Sequence, residues 1–237
     1  MKTKFQLFIS VFSILLITNF QINAETLQNS RNRNLPKFTS VKLAISANVY
    51  LTQSNKQSFR IEASDKLVQL IETKVKDGKL TIKWSKNNVR HSEKIKIYIS
   101  MEEIEGVAIS GSGDIIADGK IKTDKLELAI SGSGDMSFSD LEANDIKSKI
   151  SGSADIYLAG SQTANTLSVS ISGSGDVKAS KLQAKNVRVK ISGSGDCKVN
   201  AIDRLDATVS GSGDIYYKGR PIINGKVAGS GSIKSID

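Results

Sequence analysis

The stretch "ISGSGDMSFSD", residues 130–140, has the glycine and serine content of a linker, yet near copies of it recur along the chain. "ISGSGDIIADG" starts at Ile109, "ISGSADIYLAG" at Ile150, "ISGSGDVKASK" at Ile171, "ISGSGDCKVNA" at Ile191 and "VSGSGDIYYKG" at Val209. A degenerate copy, "VAGSGSIKSID", starts at Val227. The first serine of each copy, or its equivalent, falls at positions 110, 131, 151, 172, 192, 210 and 228, at intervals of 21, 20, 21, 20, 18 and 18 residues. A fixed period near 20 residues built from short strands is the mark of a solenoid, in which each unit buries its apolar face only by stacking on its neighbours.

The flanks define the kind of solenoid. An aliphatic residue precedes every marker (Ile109, Ile130, Ile150, Ile171, Ile191, Val209 and Val227), and apolar residues such as Leu126 and Leu128 or Val187 and Val189 lie two and four positions further back. After the motif the alternation resumes, with Ile115, Met136, Ile156, Val177, Cys197, Ile215 and Ile233 in one column. Period-two alternation on both sides predicts half-buried strands joined at a corner. Each repeat then reads as strand, SGSGD corner, strand and a second turn, with Leu141, Leu182 and Ile202 plugging that far turn. The expected fold is all-β: a right-handed parallel β-helix, or flattened β-solenoid, with coils of 18–21 residues.

The corner has three competing readings. A phosphate cradle fails, because a P-loop needs a lysine followed by Ser or Thr and a helix, whereas each motif here leads into a strand. Calcium is a weak alternative: Asp114, Asp135, Asp155, Asp176, Asp196 and Asp214 stack along one edge, but offer one carboxylate per coil where calcium takes six to eight oxygens. The favoured reading has each aspartate accepting hydrogen bonds from serine or glycine N–H groups of its turn. The glycines permit the abrupt change of direction, and Ala154, standing where the other copies carry their last glycine, implies that this position tolerates a methyl group.

Residues 38–105 are β-rich without the motif: "FTSVKLAISANVYLTQ", "SFRIEAS", "GKLTIKW" and "KIKIYIS" alternate, Asp77-Gly78 marks a turn, and "DKLVQLIETK" predicts a short helical turn. They form irregular initial coils that cover an otherwise exposed parallel edge, and "ISANVYL" reads as "ISGSADIYL" with two residues missing. The expected organisation is a signal peptide at 1–24, a flexible leader at 25–37, and one β-helix domain at 38–237, divided into an irregular part (38–105) and regular repeats (106–237). Lys2 and Lys4, the apolar run Phe5 to Ile17 and the small residue Ala24 carry the export reading, and the apolar run is too short for a membrane span.

Removing the expected signal peptide takes two lysines from a formal net charge of +9. The remaining basic residues are scattered, and export argues against nucleic acid as the partner. Lys147, Lys149, Arg188 and Lys190 point outward before the corners with Glu127 and Asp206 in the same register, a mixed-charge face. Tyr157 and Tyr216 fall on an outward column and are able to stack on sugars. His91, the single histidine, lies in the polar loop "KNNVRHSEK", and Cys197, the single cysteine, lies in the core column, so neither marks a catalytic centre. No catalytic or cofactor-binding residue is assigned, and no cofactor is expected apart from the weak calcium alternative.

The front segment "VKLAISANVYLTQSNKQSFRIEASDKLVQLIETKVKDGKLTIKW" followed by serial SGSGD corners resembles the head GIN domain family of autotransporter adhesins, over roughly residues 38–237. The resemblance implies a right-handed parallel β-helix, shaped like pectate-lyase and acyltransferase solenoids without their catalytic residues, and a role in adhesion. The last copy departs from the pattern, with Ala228 for serine and Ser232 for aspartate. The leading expectation is a noncatalytic exported protein, at the cell surface, secreted or periplasmic, with glycans or cell-surface polymers as partners. The alternatives are a polysaccharide-active or degenerate lyase-like β-helix protein and a structural protein of the periplasmic envelope. The ligand and the oligomeric state are not legible.

Overall fold

Alternating burial runs through the molecule from end to end. The structure, a computed structural model, describes residues 31–237; the expected signal peptide and residues 25–30 of the expected leader lie outside them. Among the described residues, sixteen strands and one short helix make an all-β solenoid in one sheet system.

The regular part starts with β7 (Gly106–Gly111) and β8 (Asp114–Gly132) and continues through β9 (Met136–Gly152), β10 (Ile156–Ala159), β11 (Ala164–Gly173), β12 (Val177–Gly193) and β13 (Cys197–Gly211). All pair in parallel with the equivalent part of the next coil, so that Ile109, Ile130, Ile150, Ile171, Ile191 and Val209 stack in register. These residues are at most 2% exposed, as are Met136, Phe138, Ile156, Val177 and Cys197 on the far side of the corner.

The coil has one more side than the alternation predicts. Along β9 the inward residues are Met136 and Phe138, then Leu141 and Ala143, then Ile146, Ser148 and Ile150, with two successive outward residues at 139–140 and again at 144–145. Each such doubling is a bend, so a coil has three inward-facing runs separated by the SGSGD corner and two bends. Strand pairing continues through the bends, and β8, β9, β12 and β13 are therefore 15–19 residues long. Leu141 and Leu182 plug the third side as expected, but Ile202 is 39% exposed. In its shorter coil Ala201 takes the inward place, paired with Ala184.

At the corner the first glycine is conformationally required: Gly132 has φ +136°, and its equivalents in the other copies lie between +124° and +137°. The second glycine is required by close approach. A Cβ on Gly134 or Gly175 would overlap the carbonyl oxygen of the preceding coil, so the methyl group of Ala154 is a local accommodation that does not carry over to the rest of its column.

The N-terminal coils are in register with the repeats. β1 (Ser40–Leu43) pairs with β7 through Leu43 and Ile109, and β2 (Asn48–Gln53) pairs with β8 through Asn48 and Asp114. "LAISANV" therefore overlays "ISGSGDI" without a gap: Leu43, not Ile45, is the aliphatic marker, and Asn48 holds the aspartate position. The two-residue deletion expected from sequence does not exist.

One more layer stacks in parallel beyond this coil, and there the pairing turns antiparallel. β5 (Lys79–Trp84) pairs in parallel with β1 and in antiparallel with β4 (Ile71–Lys76), across the Asp77-Gly78 turn. β6 (Lys96–Met101) pairs in parallel with β2 and in antiparallel with β3 (Ser58–Glu62). Helix α1 (Asp65–Leu70) joins the two antiparallel strands and buries Leu67 and Val68. Residues 31–37 of the expected leader lie against this cap: Asn32 bridges to Arg60, and the buried Arg33 donates to Thr73 Oγ1 and to the Val68 carbonyl oxygen, both at 3.0 Å. Burial lowers the Arg33 guanidinium to about 10, which still leaves it charged at neutral pH.

The C-terminal end lacks such a cover. β14 (Ile215–Lys218), β15 (Ile222–Gly229) and β16 (Ile233–Ser235) continue the parallel stacks, and every residue of β15 is exposed.

Candidate functional surface

The apolar side chains fill the inside of the coils, and the parallel register sorts the outer side chains into columns. The aspartate column lies along the corner. Asp114 Oδ1 accepts the Asp135 N–H at 3.0 Å, Asp135 Oδ1 that of Asp155 at 2.8 Å, and Asp155 Oδ1 that of Asp176 at 3.1 Å. Asp176 and Asp196 continue the series with the N–H groups of Asp196 and Asp214, at 2.9 and 2.8 Å. The donors are thus the aspartate N–H groups of the next coil, not the serine or glycine N–H groups of the same turn as expected. At the corner the ladder is irregular, and the carboxylate supplies the acceptor that a buried or half-buried amide requires. The aspartate carbonyl is used in the reverse direction, as in Ile115 N–H to Asp135 O and Met136 N–H to Asp155 O, both within 3.0 Å.

Two of the aspartates have further side-chain partners. Lys178 Nζ lies 2.6 Å from Asp155 Oδ2, which raises the lysine above its ordinary range through that hydrogen bond. The hydroxyls of Ser232 and Tyr216 donate to Asp214 at 2.6 and 3.0 Å and hold its carboxyl below the usual range, the serine contributing most. Among the described residues no three His, Cys, Asp or Glu side chains are grouped so as to hold a metal.

Two residues beyond each aspartate lies a second column. Tyr157 and Tyr216 point outward as expected, and the gapless register adds Tyr50 and Tyr98, which the gapped reading hid. The Tyr50 and Tyr98 rings stack with centroids 5.2 Å apart, and the Arg60 guanidinium carbon lies 4.5 Å from the Tyr98 centroid. Tyr98 donates to Glu62 at 3.0 Å, and this bond is the main cause that lowers the carboxyl and raises the phenol. Tyr50 pairs across to Ile116, itself 37% exposed, so the N-terminal end of this face carries an apolar, aromatic platform.

The face before the corner holds the charges expected to be mixed. Lys147 pairs with Glu127 at 3.3 Å, and Arg188 and Arg204 approach Asp206 at 3.8 and 2.8 Å. Lys149 and Lys190 stand in the neighbouring column, next to the serines of the motif. His91 packs edge-on against Trp84 at 5.3 Å, with Nδ1 2.8 Å from the Glu93 carbonyl oxygen. Cys197 is fully buried, and desolvation raises its thiol far above the ordinary range, which removes thiolate chemistry at neutral pH.

These features define a class: a parallel β-solenoid with a closed apolar interior and ordered columns of polar, charged and aromatic side chains outside. Residues 37–221 match the family model described as "Putative auto-transporter adhesin, head GIN domain", and the chain belongs to that family. Among solved structures it is similar to a "putative adhesin" from Bacteroides fragilis NCTC 9343, with 31% identity over 87% of this chain and 95% of that one and a TM-score of 0.83. It is also similar to a "putative lipid binding protein" from Parabacteroides distasonis ATCC 8503, with 26% identity, 87% and 96% coverage and a TM-score of 0.73. A "putative adhesin" from Parabacteroides merdae ATCC 43184 shares the fold at 24% identity, 87% and 95% coverage and a TM-score of 0.68. No curated protein matches the chain.

Proposed function

We propose that the chain is a noncatalytic exported adhesin that presents a rigid repeat surface to glycans or cell-surface polymers. The observation that carries this reading is the register of the outer columns. Backbone pairing between coils fixes the spacing of side chains such as Ser131, Ser151, Ser172 and Ser192, so that a polymer meets the same groups at each step. A surface ordered before binding loses little conformational entropy on association. The family and the adhesin named among its structural relatives agree with this role. The filled core (Phe138, Leu158 and Val199 are 0% exposed) directs binding to the outside.

Beads coated with the purified protein should adhere to glycan-bearing cell surfaces, and protease shaving of intact producing cells should remove the chain. Turnover of an acidic polysaccharide by the purified protein would replace this reading with a lyase-like enzyme. Full resistance to shaving, with no bead adhesion, would replace it with a structural role in the periplasmic envelope.

A further inference from the structure

The two outward columns on the face before the corner differ in a way their composition conceals. In one, which runs Glu127, Lys147, Ser168, Arg188, Asp206, both basic residues lie within 4.0 Å of a carboxylate, and Arg204 reaches across from two residues earlier to pair with the same Asp206. In the other, the register runs Lys149, Ser170, Lys190, Thr208, Lys226, with no acidic residue in the series. Lys149, Lys190 and Lys226 are exposed, and among the described residues none of them forms an ion pair. Adjacent parallel strands lie about 4.8 Å apart, so a lysine on every second coil recurs about every 9.6 Å. Towards the N-terminal end the same interval separates Lys42 from Lys74 across Thr81, after one longer step through Ala108 and Ala129.

The neighbouring column supplies a second regularity. Ser151, Ser172, Ser192 and Ser210 stand exposed beside the lysines, one hydroxyl per coil. We infer that this face binds a linear acidic polysaccharide lying along the solenoid axis, with one carboxylate on every second sugar. An extended pyranose chain advances by roughly one strand spacing per ring. Its carboxylates then meet the lysines, and the hydroxyls of each ring meet the serines. Duplex nucleic acid fits poorly, because it carries a charge about every 1.7 Å of axis. The face also has no aromatic side chain for base stacking, since Tyr50, Tyr98, Tyr157 and Tyr216 all lie across the corner. The aspartate column along that corner repels a polyanion and confines it to the lysine side.

Each exposed lysine–carboxylate contact is weak, so binding depends on several contacts in register, grows with chain length and falls with salt. This inference names the ligand class for the adhesive surface proposed above and rests on that reading. The test titrates the purified protein at low salt with hyaluronate oligosaccharides (one carboxylate per two sugars), polygalacturonate of equal length (one per sugar), dextran and duplex DNA. Hyaluronate should bind most tightly. Lys149→Gln, Lys190→Gln and Lys226→Gln together should weaken it at least tenfold with thermal stability unchanged. Lys147→Gln, Arg188→Gln and Arg204→Gln together should change it less than threefold. Adding lysines by Ser170→Lys and Thr208→Lys should move the preference towards polygalacturonate. Undiminished binding by the first triple variant, equal losses in both triple variants, no binding of hyaluronate, or equal binding of DNA overturns the inference. Bead adhesion separates it from the broader reading. If beads carrying the first triple variant still adhere, the lysine site fails and the adhesin stands; if wild-type beads do not adhere while hyaluronate binds, the reverse holds.

Discussion

The two ends of the solenoid are built from the same strands and finish differently. At the N-terminal end the parallel stacks turn into the antiparallel strands β3 and β4, α1 lies over the opening, and Leu80, Ile82 and Ile97 are 0% exposed. At the C-terminal end the same inward columns run out into solvent, leaving Ile223 and Val227, which stack on the buried Leu205 and Val209, each 42% exposed. A perfect repeat always offers its last strand as a template for another, and only a departure from the repeat stops it. The irregular sequence of residues 38–105 is therefore the part that gives the solenoid a definite beginning.

Matched truncations should expose this asymmetry most clearly. Ile82→Ala, next to the cap, should cost about 2–5 kcal/mol of unfolding free energy. Ile223→Ala, at the open end, should cost about 0.5 kcal/mol or less, as a surface substitution does. Equal shifts in urea midpoint would erase the distinction between the ends. A similar gradient should run along the aspartate column. Asp176→Ala leaves the Asp196 N–H without its acceptor and should cost about 1–3 kcal/mol. Asp176→Asn keeps an acceptor oxygen and should cost less. Asp214→Ala loses the Ser232 and Tyr216 partners at the open end, where water replaces them, and should cost less than Asp176→Ala, all read by thermal melting.

Between the ends, Ser148 interrupts an inward column at Leu128 and Val169, and its buried hydroxyl has no hydrogen-bond partner. Ser148→Val should raise stability by about 1–2 kcal/mol by removing that unpaired group. A loss of stability would show the site too narrow for valine. The smallest effect concerns pH. Asp214 at one end and Glu62 at the other are both held below the ordinary carboxylate range in the folded chain, by Ser232 and Tyr216 and by Tyr98 and Arg60 respectively. A depressed carboxyl contributes stability that is present above its unfolded value and lost as pH falls through its folded value. Melting temperature should therefore fall on the acid side of the carboxylate range, and Asp214→Asn with Glu62→Gln should flatten part of that fall.

The solenoid was legible because the motif recurs at nearly constant intervals and an aliphatic residue precedes every copy. The third side was not, because a bend with two successive outward residues, such as Ser139 and Asp140, looks in sequence like the end of a strand. Ile202 was misplaced for a related reason: the shorter coil shifts the inward position to Ala201, and no local pattern distinguishes an isoleucine at a bend from one in the core. The aspartates were recognisable as hydrogen-bond acceptors, but their donors lie 18–21 residues away and emerge only once the coils are stacked. Tyr50 and Tyr98 escaped notice because "LAISANV" shares only its serine with the motif that it overlays. The lysine interval required the register itself, since consecutive lysines of that column are 41 and 36 residues apart in the chain.

The aspartate column has a direction. Each finished corner holds out a carboxylate oxygen that the amide of the following aspartate completes, from Asp114 through to Asp214. A chain emerging N-terminus first thus finds, at each new corner, an acceptor already in place on the coil before it. The corner works as a moving template that sets the phase of every incoming coil. At Ser232 the direction is kept but the chemistry changes: a hydroxyl donates to Asp214 and no carboxylate is held out in turn, so the series of waiting acceptors closes there.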